Sequence, residues 1–348
     1  MTLAKSVLGS LPSYFLSLFA APKGVIEKLE KIRRNFVWGN SNSGHKMRWI
    51  RWELLSKAKR KGGMGLGAIN NFNLAMLVKW WWKFLSNPND LWAKVVGAIH
   101  SGNPNSSFSL IPVKKTIAGV WKGIGSVAST LQKYGINLKD KFVQSGGRWL
   151  WHSTDVEEFS VKLARMDFEL AFGSLAEDNF VFKWINWVPP KVNYLVWRAL
   201  MGKIASRTGL IRRGVSVLDS SCPRCGLSSE DHNHIFFSCL WSRSIWWSIL
   251  TWMRISFPMW VSSIKELFDF LLNQPGSFLW KKVMLSVASA TFWRIWKARN
   301  EKAFEDRFIP VLNSVDHIKE DAFLWVTNRS NLNLDWDKWR LFDLVGLM

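Results

Sequence analysis

All three cysteines of this 348-residue chain lie within residues 222–239, together with a histidine at a matching distance. Cys222, Cys225, His234 and Cys239 follow the pattern C-x2-C-x8-H-x4-C. A C-x2-C turn brings two thiolates to one point, and four sulphur and nitrogen ligands at about 2.0 to 2.3 Å form the tetrahedral site that Zn²⁺ prefers. The spacing therefore predicts a zinc ion. Four protein ligands leave no open position for water, so this zinc is expected to be structural.

The fourth ligand has two candidates, because His232 lies close to His234 and ligand spacing varies among such sites. In an unbroken α-helix, position i+5 rotates off the face of position i. His234 and Cys239 can therefore converge if a helix begins between them, near Phe236. The alternative interpretation is three free thiols packed as small hydrophobic side chains. Three cysteines at metal spacing also argue against disulfides, which favours an intracellular location in the nucleus or cytoplasm.

The charge of the chain indicates the class of its partner. Lys and Arg total 47 against 26 Asp and Glu, which gives a net charge of +21. Such an excess favours an acidic polymer, RNA or DNA, as the partner. Residues 1–100 carry sixteen basic and four acidic groups, whereas residues 301–348 carry six and nine. No apolar stretch reaches the ~18 uninterrupted residues that a membrane span needs, so we expect no membrane partner.

Two basic segments precede residue 62. Apolar residues recur at helical spacing between positions 25 and 36, which predicts an amphipathic helix with a basic outer face. A second basic run, residues 57–61, precedes a glycine-rich segment, residues 62–67. This segment lacks the spacing of a phosphate-binding loop. It is interpreted as a turn that leads into a helix over 70–85. The candidate nucleic-acid contacts are Lys28, Lys31, Arg34, Lys57, Lys59, Arg60, Lys61, Arg212 and Arg213.

The patterning predicts a mainly α-helical protein of several modules, with a small β-hairpin and a structural zinc module. Turn-forming residues dominate 101–147 and predict a linker. Segments 148–151 and 158–161 are expected to be extended around a turn. Helices are predicted over residues 162–172, 191–201, 240–253, 264–272 and 278–300.

Tryptophan is unusually frequent, with 24 residues that often stand beside Lys or Arg. Aromatic faces next to cations suit base stacking combined with phosphate contact. A buried Trp also removes ~150 to 250 Å² from water, so filling a helical core is the favoured interpretation for any single Trp.

A family resemblance rests on the segments that lead into the Cys/His window. Residues 184–200 and 210–214 precede a window that reads C-P-x-C, Glu230, three residues, then H-I-F-x-x-C. This resembles the reverse transcriptase zinc-binding domain of plant LINE-type (non-LTR) retroelement polyproteins. The resemblance favours His234 over His232 as the fourth ligand. Glu230 is a candidate for orienting the bound histidine.

The resemblance also implies an organisation for the whole chain. Residues 1–100 resemble the basic, thumb-like region that follows a polymerase palm, and residues 101–147 are the linker. Residues 148–255 are the reverse transcriptase zinc-binding domain, and residues 256–348 are a C-terminal helical tail. Polymerisation in this family uses a Tyr-x-Asp-Asp motif to hold two metal ions. The chain contains no Asp-Asp pair, so we expect the C-terminal part of a longer polyprotein, without catalysis of its own.

The expected function is therefore a zinc-stabilised nucleic-acid-binding fragment. One alternative is an accessory part of an RNA-directed DNA polymerase, acting with a palm supplied by another chain. A further alternative is a helical protein-interaction scaffold whose charge serves solubility.

Overall fold

The computed structural model describes residues 7–10, 12–39, 47–100, 110–114, 116–153, 155–172 and 182–344, with the side chain of Arg60 outside the description. It divides into two compact units, Met1–Phe182 and Lys183–Met348. The module boundaries expected from the sequence stay predictions.

Helices make up most of the described part of the first unit, as the sequence predicted. They are α1 (Ser13–Leu18), α2 (Lys23–Trp38), α3 (Trp52–Ser56), α4 (Ile69–Ser86), α5 (Leu91–His100), α6 (Val120–Gln132), α7 (Leu138–Lys141) and α8 (Val161–Ala171), with a 3₁₀ turn at Lys59–Lys61. A small antiparallel sheet has the order β1 (Phe142–Ser145), β2 (Arg148–His152) and β3 (Val156–Glu157).

The sheet contains the predicted extended segment at 148–151 and one strand that the sequence did not suggest. Gly146 and Gly147, with φ of 56° and 74°, form the two-residue turn between β1 and β2. Positive φ at both positions is what a hairpin turn of type I′ requires, and glycine adopts it without strain. The second predicted segment, 158–161, is misplaced. The paired strand β3 ends at Glu157, and Ser160 caps α8 by accepting from the backbone N–H of Leu163 (3.2 Å).

Part of the predicted linker packs into the core of the first unit. Helix α6 buries residues at helical spacing, namely Trp121, Ile124, Val127, Ala128 and Leu131. Glycines hide this pattern in the sequence, and one of them allows close packing. A Cβ on Gly125 would lie 2.2 Å from Cγ2 of Val113, so that segment can approach α6 because Gly125 has no side chain.

The triple tryptophan run of α4 belongs to this core. Trp81 is fully buried and its indole N–H donates to the carbonyl of Ile124 (2.9 Å). The indoles of Trp80 and Trp82 donate to the carbonyls of Ser17 (2.7 Å) and Trp149 (3.1 Å). These three side chains tie α4 to its neighbours, as expected if they fill a core.

Helix α2 is oriented differently from a simple amphipathic helix. Lys28 and Lys31 are exposed, but Val25, Ile32 and Phe36 are also exposed, at 45%, 54% and 49%. The side chain that α2 buries is instead Arg33, at 2% exposure.

Arg33 explains both the orientation of α2 and the conformation of the glycine-rich turn. Its guanidinium donates to the carbonyls of Leu66 (3.0 Å) and Gly67 (3.1 Å). Glu30 accepts from Arg33 (3.2 Å) and from the backbone N–H of Ile69 (2.8 Å), the first residue of α4. Burial lowers the pKa of Arg33, and Glu30 opposes that shift. Arg33 therefore holds the glycine-rich turn through its carbonyls, and Glu30 fixes the point at which the chain enters α4.

The described part of the second unit is a helical bundle around one long helix. Its elements are α9 (Pro190–Leu200), α10 (Arg207–Ile211), a π-helical turn (His234–Ser238), α11 (Leu240–Trp252), α12 (Ile264–Leu272), α13 (Phe278–Glu305), α14 (Val311–Arg329) and α15 (Trp336–Arg340). The helices predicted for this part are confirmed, and α13 continues five residues beyond the prediction. It ends where Asp306 adopts a left-handed φ of 51°. Within the described residues, no helix has the length and apolarity to cross a membrane.

Candidate metal centre

A short turn brings Cys222 and Cys225 together. The backbone N–H of Gly226 donates to the carbonyl of Cys222 (2.8 Å), and Gly226 has a φ of 65°. The backbone N–H of Cys222 donates to the carbonyl of Ser228 (2.8 Å), which closes the loop on itself. The backbone N–H of Leu227 lies 3.5 Å from Sγ of Cys225. These bonds orient both thiols toward one side of the loop.

A π-helical turn brings the other two residues of the motif into register. The backbone N–H of Cys239 donates to the carbonyl of His234 (2.9 Å), an i to i+5 bond. Asp231 accepts from the backbone N–H of His234 (2.6 Å). The predicted helix start near Phe236 is wrong, since α11 begins at Leu240. The wider π turn, rather than a helix start, places position i+5 beside position i.

Side chains of α11 stabilise the π turn by pairing its carbonyls. Oγ of Ser242 donates to the carbonyl of Ile235 (2.6 Å), and the indole N–H of Trp246 donates to that of Phe236 (2.7 Å). Carbonyls of a widened turn left unpaired in a buried position would be costly. The two donors remove that cost.

The four residues of the motif converge on one point. The ligand atoms of Cys222, Cys225, His234 and Cys239 all lie within 4.8 Å of one another, and Sγ of Cys225 lies 3.3 Å from Nε2 of His234. A tetrahedral zinc with bonds of 2.0 to 2.3 Å would hold such atoms roughly 3.3 to 3.8 Å apart. The donor set is one that binds zinc, and the Cys225–His234 pair already has the separation that a bound ion imposes. His232 is not part of this group and lies instead against Gly202.

The thiols of Cys222 and Cys239 are coupled. A hydrogen bond with Cys239, followed by burial, raises the pKa of Cys222. The same hydrogen bond lowers the pKa of Cys239. A metal that binds thiolates displaces the thiol protons, so metal binding at such a site depends on pH.

Glu230 has a different role from the one expected. Its carboxylate is fully buried and accepts from the backbone N–H of Arg207 (2.9 Å) and from Nε of Arg299 (2.8 Å), with a further bond to Nη2 of Arg299. No bond from this carboxylate to His234 is among the described contacts. Glu230 therefore ties the Cys/His segment to α13 rather than orienting the histidine.

Arg224, between the two cysteines of the turn, was missed in the sequence. Its guanidinium carbon lies 3.7 Å from the ring centre of Trp241 and 4.3 Å from that of Phe308. Nη2 donates to the carbonyl of Ile309 (2.7 Å). Burial lowers the pKa of Arg224 to about 10. Its position in the C-P-x-C turn was visible in the sequence, but its aromatic partners lie far away along the chain.

The nine predicted nucleic-acid contacts fall in both units, and the side chain of one of them, Arg60, lies outside the described part of the structure. Lys28, Lys31 and Lys59 are exposed in the first unit, where Arg34, Lys57 and Lys61 are half-buried. Arg212 and Arg213 are exposed in the second unit, after α10. The structure does not bring all nine to a single surface of one unit.

Comparison with known protein families finds a match over the Cys/His segment. Residues 168–246 match the family described as zinc-binding in reverse transcriptase. The resemblance that the motifs indicated is confirmed for this region, which contains all four candidate metal ligands.

Two proteins of Arabidopsis thaliana are similar to this chain. One, named "Putative ribonuclease H protein At1g65750", is 30% identical over 151 residues, which cover 43% of this chain and 22% of that protein. The other, named "Uncharacterized mitochondrial protein AtMg00310", is 28% identical over 116 residues, 33% of this chain and 74% of that protein. The chain thus spans about a fifth of the first relative's length.

Proposed function

We propose that this protein is a zinc-stabilised nucleic-acid-binding part of a retroelement reverse transcriptase, of the LINE type found in plants, without catalysis of its own. The supporting observation is the convergence of Cys222, Cys225, His234 and Cys239 inside the region that matches a zinc-binding family. Four protein ligands occupy every position of a tetrahedral ion, so the zinc has a structural role.

The zinc content of the purified protein tests this proposal. We expect one zinc per chain, and none in a variant with Cys222→Ser and Cys225→Ser. Ser221→Ala, at a residue whose side chain is outside the ligand set, is the matched control and should retain the metal. Zinc in such sites contributes ~10 to 16 kcal/mol of apparent binding free energy, so chelation should unfold the second unit. A well-folded parent without zinc would contradict the proposal.

Nucleic-acid binding is supported by charge and by exposed aromatic side chains. The chain has a net charge of +21. In the first unit, Lys28 and Lys31 are exposed on α2, which also carries the exposed Phe36, and α1 exposes Tyr14 and Phe15 at 69% and 64%. Exposed rings offer stacking surfaces to unpaired bases, and lysines neutralise phosphates.

Salt dependence tests this second part. For Z phosphate contacts, log K should fall with log salt at a slope near −0.7Z on single strands or −0.9Z on duplex DNA. Replacing both Lys28 and Lys31 with Gln should weaken binding to all sequences and reduce the slope by about 1 to 2. The matched control replaces Lys319 and Lys338 with Gln, in residues 301–348, where acidic groups outnumber basic ones. A slope near zero would favour a protein-interaction scaffold.

An accessory role beside a separate palm is favoured by one specific observation. Val25, Ile32 and Phe36 form an exposed apolar stripe on α2, although the helix spacing alone would bury it. Exposed apolar patches of this kind often mark protein interfaces. Co-purification with a separately expressed palm, lost in a variant with Ile32→Glu and Phe36→Glu, would support this role.

A further inference from the structure

Two segments of the second unit that pack against each other contain basic residues and no acidic ones. Residues 183–218 include seven Lys and Arg and no Asp or Glu, and residues 270–300 include five and none. Helix α9 lies in the first segment and most of α13 in the second, and these two helices pack together. A surface built from both segments therefore has a positive potential that no acidic side chain of its own offsets.

Lysines of each segment lie over aromatic rings of the other. In three pairs, the distance from the lysine Nζ to the ring centre is 5.5 Å for Lys183 and Phe278, 4.2 Å for Lys282 and Trp187, and 5.0 Å for Lys191 and Trp293. We call these six residues the lysine strip. The pairs follow the same order along both segments, so the strip extends along α13 from residue 278 to residue 293. At 1.5 Å per helical residue, this length is roughly 22 Å.

The acidic groups that reach α13 pair with arginines. Arg294 pairs with Asp321 (2.6 Å), and Arg299 pairs with Glu230. Among the ion pairs of the described residues, none involves a lysine of the strip. An aromatic ring attracts an ammonium group through its quadrupole but carries no net charge. The charge of the three lysines is therefore still available to an anionic partner.

Phe278 adds an aromatic surface to this charge. It is 65% exposed, and Nζ of Lys282 lies 5.3 Å from its ring centre, in addition to Lys183. An exposed ring beside cations suits contact with an unpaired base together with its phosphates. In a duplex the bases are already stacked on one another, so this combination favours a single strand.

We propose that the lysine strip binds single-stranded nucleic acid, with its lysines on phosphates and a base against Phe278. This inference rests on the proposed nucleic-acid function and adds a surface in the second unit to the residues considered in the first. Phosphates of one strand of B-DNA are about 3.4 Å apart along the axis, so a strip of roughly 22 Å can face several phosphates even of a more extended strand.

Fluorescence anisotropy with labelled oligouridylate and oligothymidylate tests the proposal on the full chain. Each lost phosphate contact should reduce the salt slope of log K by about 0.7 on a single strand, so Gln at all three lysines should reduce it by about 2. Between about 1 M and 0.1 M salt, this corresponds to ~100-fold weaker binding at the lower concentration.

The matched control replaces three lysines of other helices with Gln, namely Lys265, Lys319 and Lys338. It removes the same charge from the same unit, and Lys319 also lies over a ring, 5.2 Å from Trp252. We expect this control to keep nearly the parental slope.

Phe278→Leu tests the base contact, because leucine keeps an apolar side chain without the ring. Loss of one stacked base should weaken single-strand binding roughly 5 to 100-fold and leave duplex binding unchanged. Phe304→Leu is the control, since Phe304 is 80% exposed near the other end of α13.

Lysine acetylation of the parent protein provides a measurement that needs no variant. Bound oligonucleotide should protect Lys183, Lys191 and Lys282 from acetylation more than Lys265 and Lys338, as read by mass spectrometry. Unlabelled poly-glutamate, an acidic chain without bases, should compete less well than unlabelled oligonucleotide at equal charge.

The outcomes separate this inference from the proposed function. If the parent shows no salt-dependent binding, nucleic-acid binding itself fails. If the parent binds but the strip variant matches it, or the lysine control loses as much, the strip is not the binding surface and the inference is overturned. Equal protection of all five lysines would also overturn it. Equal competition by poly-glutamate would indicate a site for acidic proteins, and an equal effect of Phe278→Leu on duplex would refute the single-strand assignment. Circular dichroism of each variant ensures that folded protein is compared.

Discussion

The buried ion pair between Glu230 and Arg299 should be among the most sensitive positions of the second unit. Glu230 is fully buried and Arg299 is 5% exposed. Arg299→Met would leave the carboxylate with the backbone N–H of Arg207 as its remaining described donor. Removing one partner of a buried pair costs about 3 to 5 kcal/mol, because the other charge is left uncompensated.

Urea unfolding of the protein in buffer containing zinc, followed by tryptophan fluorescence, measures this cost. With a slope of ~2 to 3 kcal/mol/M, Arg299→Met should lower the midpoint by roughly 1 to 2 M. The double variant with Glu230→Gln should be less destabilised than the sum of the two single variants, since it leaves no buried charge unpaired.

Arg307→Met is the matched control for this prediction. Arg307 pairs with Glu301 near the end of the same helix, but its side chain is 63% exposed. Exposed pairs contribute ~0 to 1 kcal/mol, so the midpoint should barely move. If Arg299→Met lowers the midpoint no more than Arg307→Met does, the pair does not hold the Cys/His segment to α13.

Three further outcomes can be checked by thermal or chemical unfolding. Gly125→Ala should destabilise the first unit by about 1 to 3 kcal/mol, because the added Cβ would overlap Val113. Gly97 has open space around it on its helix, so Gly97→Ala should stabilise the same unit by ~0.5 to 1 kcal/mol. Equal effects of the two substitutions would contradict the packing argument. Asp167→Ala should lower the free energy of unfolding by at least ~1 to 3 kcal/mol, since this buried carboxylate accepts hydrogen bonds from three side chains. An unchanged stability would mean that the three donors form hydrogen bonds with water instead. Deleting residues 256–348 should prevent stable zinc retention, measured by metal content after gel filtration, and full retention would show that the Cys/His segment folds without α13.

Several of the longer helices of this protein could be predicted from the sequence because their signals are local. The 3.6-residue period of apolar side chains lies within each segment, and Pro189 and Pro190 mark the start of α9. Predicted and observed bounds of the helices over 162–172, 191–201 and 240–253 agree within one residue at each end. Helix α6 was not predicted because glycines interrupt its apolar positions. The role of such a glycine is to let another segment pack closely, and the sequence alone does not show which segment does so.

The candidate metal ligands could also be recognised from a short segment of the sequence. A C-x2-C turn needs no distant contact to bring its thiols together, so the spacing alone located the candidate metal centre. The choice between His232 and His234 required the family resemblance and then the geometry, since both are reachable from the same loop.

Tertiary structure decided the partners of the buried charges. Arg33 rather than the apolar stripe is buried on α2, because Glu30 and two carbonyls of the glycine-rich turn pair its guanidinium. Glu230 pairs with Arg299, 69 residues away. A charge enters a core only where specific partners are already placed. The sequence states which residues are charged. The partners that stabilise those charges come together only when distant segments fold against each other.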